Sequence, residues 1–231
     1  MICDVYLVHK RQGPTHAHVP ALVGCNWRGA TPEQAAERAP AEIAAHLAWL
    51  RRHGLPLPGG GAVEPRLVRV PSSVRGGGVI GFFESDREPV PAAEVEPYLR
   101  QMACSRADLL ALTQPLPAEA MERQPAERAW SIAEILRHVA SAERWYLSRI
   151  IDPATLPRFR PEPDVWKRLE AVRALAVERL AALSDAERTA IVVNDGELWS
   201  ARKVFRRFLE HEREHYAHVI EVLDALRHPH P

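Results

Sequence analysis

Residues 205–219 read FRRFLEHEREHYAHV, and the fold turns on how this run is placed. At about 100° per residue, Val204, Phe208, His211, His215, Val219, Val222 and Leu226 share one face of a single helix. His211 and His215 therefore interrupt an apolar stripe, one turn apart, while Glu210, Arg213 and Glu214 turn away from it. His218 falls at the edge of the same arc. Imidazoles at i and i+4 can reach one ion, and they can equally be core histidines satisfied by polar neighbours. Burying both with no partner would cost on the order of several kcal/mol.

A metal would need a third ligand from another helix. Residues 130–147, WSIAEILRHVASAERWYL, begin with a capping box, Ser131 and Glu134. Their apolar face carries Ile132, Ile135, Leu136, Val139, Tyr146 and, beyond the run, Ile150. Glu143 sits in the middle of that face and His138 off its centre, so helical geometry nominates either as a further ligand. A buried glutamate can also be a general base, or the ion-pair partner of an arginine on another helix.

Two further helices are expected at about residues 92–113 and 163–183, with the histidine-bearing ones at about 131–151 and 200–226. Four helices of this length, joined by connections such as QPLP and DPATLP, predict an all-α up-down four-helix bundle. No repeat of solenoid period is visible.

The front of the chain reads differently. Residues 2–10 alternate as a strand, a turn is expected at Gln12–Pro14, and 16–29 continue as an extended run bent at Pro20 and Gly24. Thr31 caps a helix with Pro32 at its first position, and that helix stops at Gly54. Pro40, inside it, predicts a kink or an early break. Short strands are expected at Arg66–Val70 and Val79–Phe83, with glycine loops at Gly59–Gly61 and Gly76–Gly78. Proline and glycine cluster between Gly54 and Pro91, which places a domain boundary near Glu88–Pro91. The expected division is an α+β domain over 1–90 and the bundle over 91–231.

The 231 residues are balanced at 30 basic and 30 acidic side chains, with 46% hydrophobic and 26% charged residues. That composition suits an ordinary globular protein and offers no nucleic-acid footprint. Three cysteines without a CxxC spacing indicate neither a disulfide framework nor a thiolate zinc site, so the cytoplasm is the expected compartment. Neither an export signal nor a membrane span is read. No G-x-S-x-G elbow or phosphate loop competes with the histidines, and GGGAVEP and RGGGVIG read as linkers. Trp130, Trp145, Tyr146, Trp166 and Trp199 suit a pocket wall or, more commonly, a bundle core. The terminal RHPHP reads as a frayed end.

Two resemblances extend this reading. VPALVGCNWRGATPEQAAERAPAEIAAHLAWLRRHGLPLP, residues 19–58, resembles the HicB-type domain, a β-β-β-α-β unit, over about residues 1–70. The family's role as an antitoxin implies a toxin-like protein partner. Its DNA-binding segment has no counterpart here, so the repressor role is not implied. WSIAEILRHVASAERWYL followed by FRRFLEHEREHYAHV is similar to the DinB/YfiT-like superfamily, over about residues 92–228.

The second resemblance implies a four-helix bundle whose divalent metal is held by one histidine of the second helix and an H-x-x-x-H pair of the fourth. On this sequence those are His138, His211 and His215, and His218 is not a ligand. Zinc, nickel and iron are not distinguished. The resemblance further implies metal-dependent transferase or isomerase chemistry, or a hydrolase-like reaction, with a small-molecule substrate or low-molecular-weight thiol. Glu143 would be the base or an outer-sphere group. A homodimer is implied as well. The other function considered is non-enzymatic: a HicB-like domain that recognises a protein partner, with the bundle as scaffold.

Overall fold

The computed structural model describes residues 1–9, 13–59, 63–70, 81–127, 129–157 and 162–228. The chain forms two compact units, Met1–Glu88 and Pro89–Pro231. The glycines at 60–61 and 76–78, Gln12, and the last three residues lie outside the described residues, as do the expectations that fall on them.

The first unit runs β1 (Ile2–His9), β2 (Thr15–His18), β3 (Asn26–Gly29), α1 (Pro32–Glu37), α2 (Ala39–Arg52) and β4 (Glu64–Val70). The sheet order is β3-β2-β1-β4. The first three strands are antiparallel neighbours, and β4 returns parallel to β1 after the helices. Alternation in β1 sends Cys3, Val5 and Leu7 to one face, where they pack with Ala17, Trp27, Ala35, Ala39 and Ile43.

Thr31 caps α1 by accepting from the Gln34 amide at 3.2 Å. At Gly29 a Cβ would stand 2.5 Å from the Ala35 nitrogen, so the close approach of helix to strand needs glycine there. The expected single helix is two, parted at Arg38, because Pro40 lacks the amide that would continue the ladder. Among the described residues of the expected 79–83 strand, positions 81–83 are not extended into a sheet. Phe83 instead stacks on Tyr6, with ring centroids 4.5 Å apart.

The second unit contains α3 (Ala92–Thr113), α4 (Ala118–Glu122), α5 (Ile132–Leu147), α6 (Val165–Ala181), α7 (Asp185–Thr189), β5 (Ile191–Asn194), β6 (Glu197–Ser200) and α8 (Ala201–Arg227). Three of the long helices start at a side-chain cap. The Ser131–Glu134 capping box closes α5, Asp164 caps α6 and Ser200 caps α8. Ile132, Ile135, Leu136 and Val139 of α5 meet Leu169 and Val172 of α6 and Val219 and Val222 of α8 in the bundle core. The β5–β6 hairpin turns at Asp195 and Gly196, both at positive φ.

Helix direction corrects the up-down expectation. Tyr98 meets Arg202 and Phe205 while Arg106 meets Glu212, so α3 and α8 run the same way. Ser141 meets Arg168 and Glu143 meets Arg173, so α5 and α6 also run alike. Conversely, His138 meets His215 and Tyr146 meets Arg207, which makes α5 and α8 antiparallel. The order is therefore up, down, down, up. Because α5 and α6 run alike, the chain must cross over between the end of one and the start of the other, as in crossover bundles.

Candidate metal centre

His138 projects from the middle of α5, and His211 and His215 project one turn apart from α8. The antiparallel packing of these two helices brings the three rings together. His138 Nε2 lies 3.0 Å from His211 Nε2, and His215 Nε2 lies 3.1 Å from the same atom. All three donor atoms are within 4.8 Å of one another. His211 and His215 are buried and His138 is half-buried.

This donor set fits a divalent cation. Imidazole nitrogens sit about 2.0–2.1 Å from zinc, so ligands at tetrahedral or square angles stand roughly 3 Å apart. A single ring nitrogen, His211 Nε2, faces two others at that distance, and one cation satisfies three lone pairs at once. Burial is the main influence that lowers the His138 pKa; the Glu214 carboxylate opposes it and His218 adds to it. A lowering of this kind favours the neutral ring, the form that ligates.

Aromatic rings surround the cluster. The indole of Trp130 lies 4.9 Å from His138, and 6.2 Å from both His215 and His218, and stays 40% exposed, so it covers the rings without sealing them. Tyr146 presents its edge to His211 at 5.6 Å. Its hydroxyl accepts from Arg207 Nη2 at 3.2 Å, and burial raises its pKa against the pull of that guanidinium. Arg207 also bonds the buried Glu210. His218 is half-buried, 5.9 Å from His215, and stands outside the donor set.

Glu143 is placed elsewhere. It is 1% exposed, and its carboxylate accepts from Arg106 Nη2 at 2.6 Å and from both Nε and Nη2 of Arg173. Glu212 completes the group, accepting from Arg106 Nε at 2.6 Å and from Arg173 Nη2 at 3.0 Å. With its oxygens held by two guanidinium groups, Glu143 is the ion-pair partner of Arg106 and Arg173 and stands outside the donor set.

The sequence pattern of the DinB superfamily matches residues 101–219, just over half of the chain. The chain belongs to the DinB superfamily. Among solved structures, this DinB chain is similar to YfiT from Bacillus subtilis, described as a probable metal-dependent hydrolase with an unusual four-helix bundle topology. Identity is 15%, over 61% of this chain and 92% of YfiT, with a TM-score of 0.47. It is also similar to TT2238, a four-helix bundle protein, at 21% identity over 55% of this chain and 98% of the other, with a TM-score of 0.44. No curated protein matches the chain.

Several residues of this DinB bundle escaped the sequence reading. Arg106 and Arg173 each occupy a buried position at helical spacing among apolar residues, after Met102 and Leu169 respectively, and that irregularity is a usable signal. Glu210 turns away from the apolar stripe, as expected, yet is 1% exposed and paired with Arg206 and Arg207. The start of α8 is buried on nearly every side, which a one-face pattern does not reveal.

Proposed function

We propose that this DinB-superfamily protein binds a divalent metal through His138, His211 and His215 and acts as a metal-dependent transferase with a low-molecular-weight thiol. The observation that carries the reading is the approach of three imidazole donors to within 4.8 Å of one another. Three protein ligands leave a coordination position open, unlike a closed four-ligand structural site. A metal in such a site lowers the pKa of a bound water or thiol toward neutrality.

The chain's own residues supply the rest. His211 and His215 are fixed by the rigid repeat of α8, and His138 approaches them from α5. Trp130 shields the cluster on one side and limits the water that reaches it. Tyr146 and Arg207 hold the His211 side with a buried hydrogen bond. Attack by a thiol on an electrophilic small molecule would be transfer or isomerisation, whereas attack by water would be hydrolysis.

Elemental analysis of protein purified without a polyhistidine tag tests the reading. One zinc, nickel or iron per chain is expected, with loss of metal in His211→Ala. Content far below one per chain would overturn it.

A second reading concerns the first unit, whose β1-β2-β3-α1-α2-β4 order suits a HicB-like partner-recognition domain of a cytoplasmic protein. It calls for a protein partner retained by the full chain and lost when residues 1–88 are removed. Metal content gives no information on it.

A further inference from the structure

The Arg106–Glu143–Arg173–Glu212 cluster takes one residue from each of the four long helices: α3, α5, α6 and α8. All four are buried, at 9% exposure or less. Their bonds follow a reciprocal pattern. Arg106 Nη1 donates to the Leu169 carbonyl at 3.1 Å, and Arg173 Nη1 donates to the Met102 carbonyl at 2.8 Å. Each arginine thus grips the other's helix one turn before the other arginine. Each also bonds both carboxylates.

The chain spacing repeats as well. Glu143 follows Arg106 by 37 residues, and Glu212 follows Arg173 by 39. Aligning the two glutamates sets His138 against Arg207, each five residues earlier, and Tyr146 against His215, each three later. Contacts run between these two sets. His138 and His215 have ring centroids 4.8 Å apart, and Arg207 donates to the Tyr146 hydroxyl at 3.2 Å. One residue before each glutamate stand His211 and Ala142.

We propose that the bundle is one helical hairpin repeated about a local two-fold axis, and that the buried charge cluster on that axis sets the register that assembles the imidazoles. Arg106, Glu143, Arg173 and Glu212 are positioning residues; they act through the packing of α5 against α8 and touch no ligand. The two halves have diverged. One presents His138 and His215 with His211 to a cation. The other fills the equivalent place with its own cation, the Arg207 guanidinium, against Tyr146 and opposite Ala142. The direct apposition of two carboxylates and two guanidinium groups tolerates little sliding, because a one-turn shift would leave each charge buried without its partner. An apolar core of the same volume carries no such penalty.

The inference rests on the metal reading for its consequence, but its test does not. Arg106→Met, Glu143→Leu, Arg173→Met and Glu212→Leu are combined in the full-length protein, and folding is checked by circular dichroism. Cobalt titration followed by visible absorption reads the ligand set, and histidine-selective nitrogen-15 NMR of the metal-free protein reads the three imidazoles. Arg173→Lys, which keeps the charge and loses the planar fork, is the second variant should the fourfold change prevent folding.

In either variant the cobalt affinity should fall about 10-fold or more, with a spectrum showing fewer imidazole ligands. The His138, His211 and His215 resonances should leave their wild-type positions. Wild-type cobalt affinity and unmoved imidazole resonances in a folded variant would overturn the proposal. Wild-type protein that takes up no cobalt would defeat the metal reading, and the imidazole resonances would still decide the register.

Discussion

Two polar clusters lie inside the same bundle, and they differ in how their groups match. The arginine–glutamate cluster matches two cations with two anions, and main-chain carbonyls take further guanidinium donors, although Glu212 Oε2 is buried without a hydrogen bond. The histidine cluster has three ring nitrogens of one kind turned toward each other and an exposed indole beside them. A buried cluster whose opposite charges match holds helices in place. Three imidazoles gathered this closely could instead hold a metal ion.

Removing one partner should break the first cluster most severely. Glu212→Leu leaves two guanidinium groups buried against a single carboxylate, and a loss of about 3–5 kcal/mol in unfolding free energy is expected from urea denaturation. A loss below about 1 kcal/mol would mean that the cluster is hydrated or dispensable.

The second cluster should respond to metal instead. Zinc at about 100 times its dissociation constant should stabilise the wild type by roughly 2.7 kcal/mol, and a chelator should reverse this. In His211→Ala the increment should vanish while the metal-free stability changes little. If zinc stabilises both proteins alike, the ion binds elsewhere.

A finer contrast comes from Trp130, which lies over the imidazoles and not over the arginine–glutamate cluster. Copper or nickel should quench part of the tryptophan fluorescence, and Trp130→Phe should remove most of that quench without altering the melting temperature. Quenching that persists in the variant would point to Trp145 or Trp199 as the reporter.

The smallest effect concerns the start of α5, which carries one residue of the histidine cluster and one of the arginine–glutamate cluster. Ser131→Ala should cost about 0.5–2 kcal/mol. Glu134, on the same cap, has its pKa lowered first by the Ser131 amide, then by Gln124. A carboxylate lowered in the folded state contributes above its unfolded value, and that contribution is lost as pH falls through the folded one. Acid unfolding of Glu134→Gln should therefore lack this increment. A cap that fails in either variant would loosen His138 before it disturbed Glu143, which is farther along α5.

The helical periods of 92–113 and 200–226, and the i, i+4 pair His211 and His215, were legible because each is a local pattern along one helix. The break at Pro40 was legible for the same reason, as proline removes its amide wherever it stands. The β5–β6 hairpin carried a readable signal in Asn194-Asp195-Gly196 between two apolar runs, and it went unread. Glu143 shows the limit of such reading. Its wheel position established that it is buried, but a ligand, a base and an ion-pair member all share that position.

By itself, then, the sequence determined which faces of which helices are buried, where α5 and α8 begin, and that two imidazoles share an apolar stripe. Periodicity does this because side-chain direction follows the backbone repeat. Only the tertiary structure decided that α5 and α8 are antiparallel and that Glu143 answers Arg106 and Arg173. Those facts depend on which helices are neighbours and in which direction they run, and a pattern confined to one helix carries no record of either.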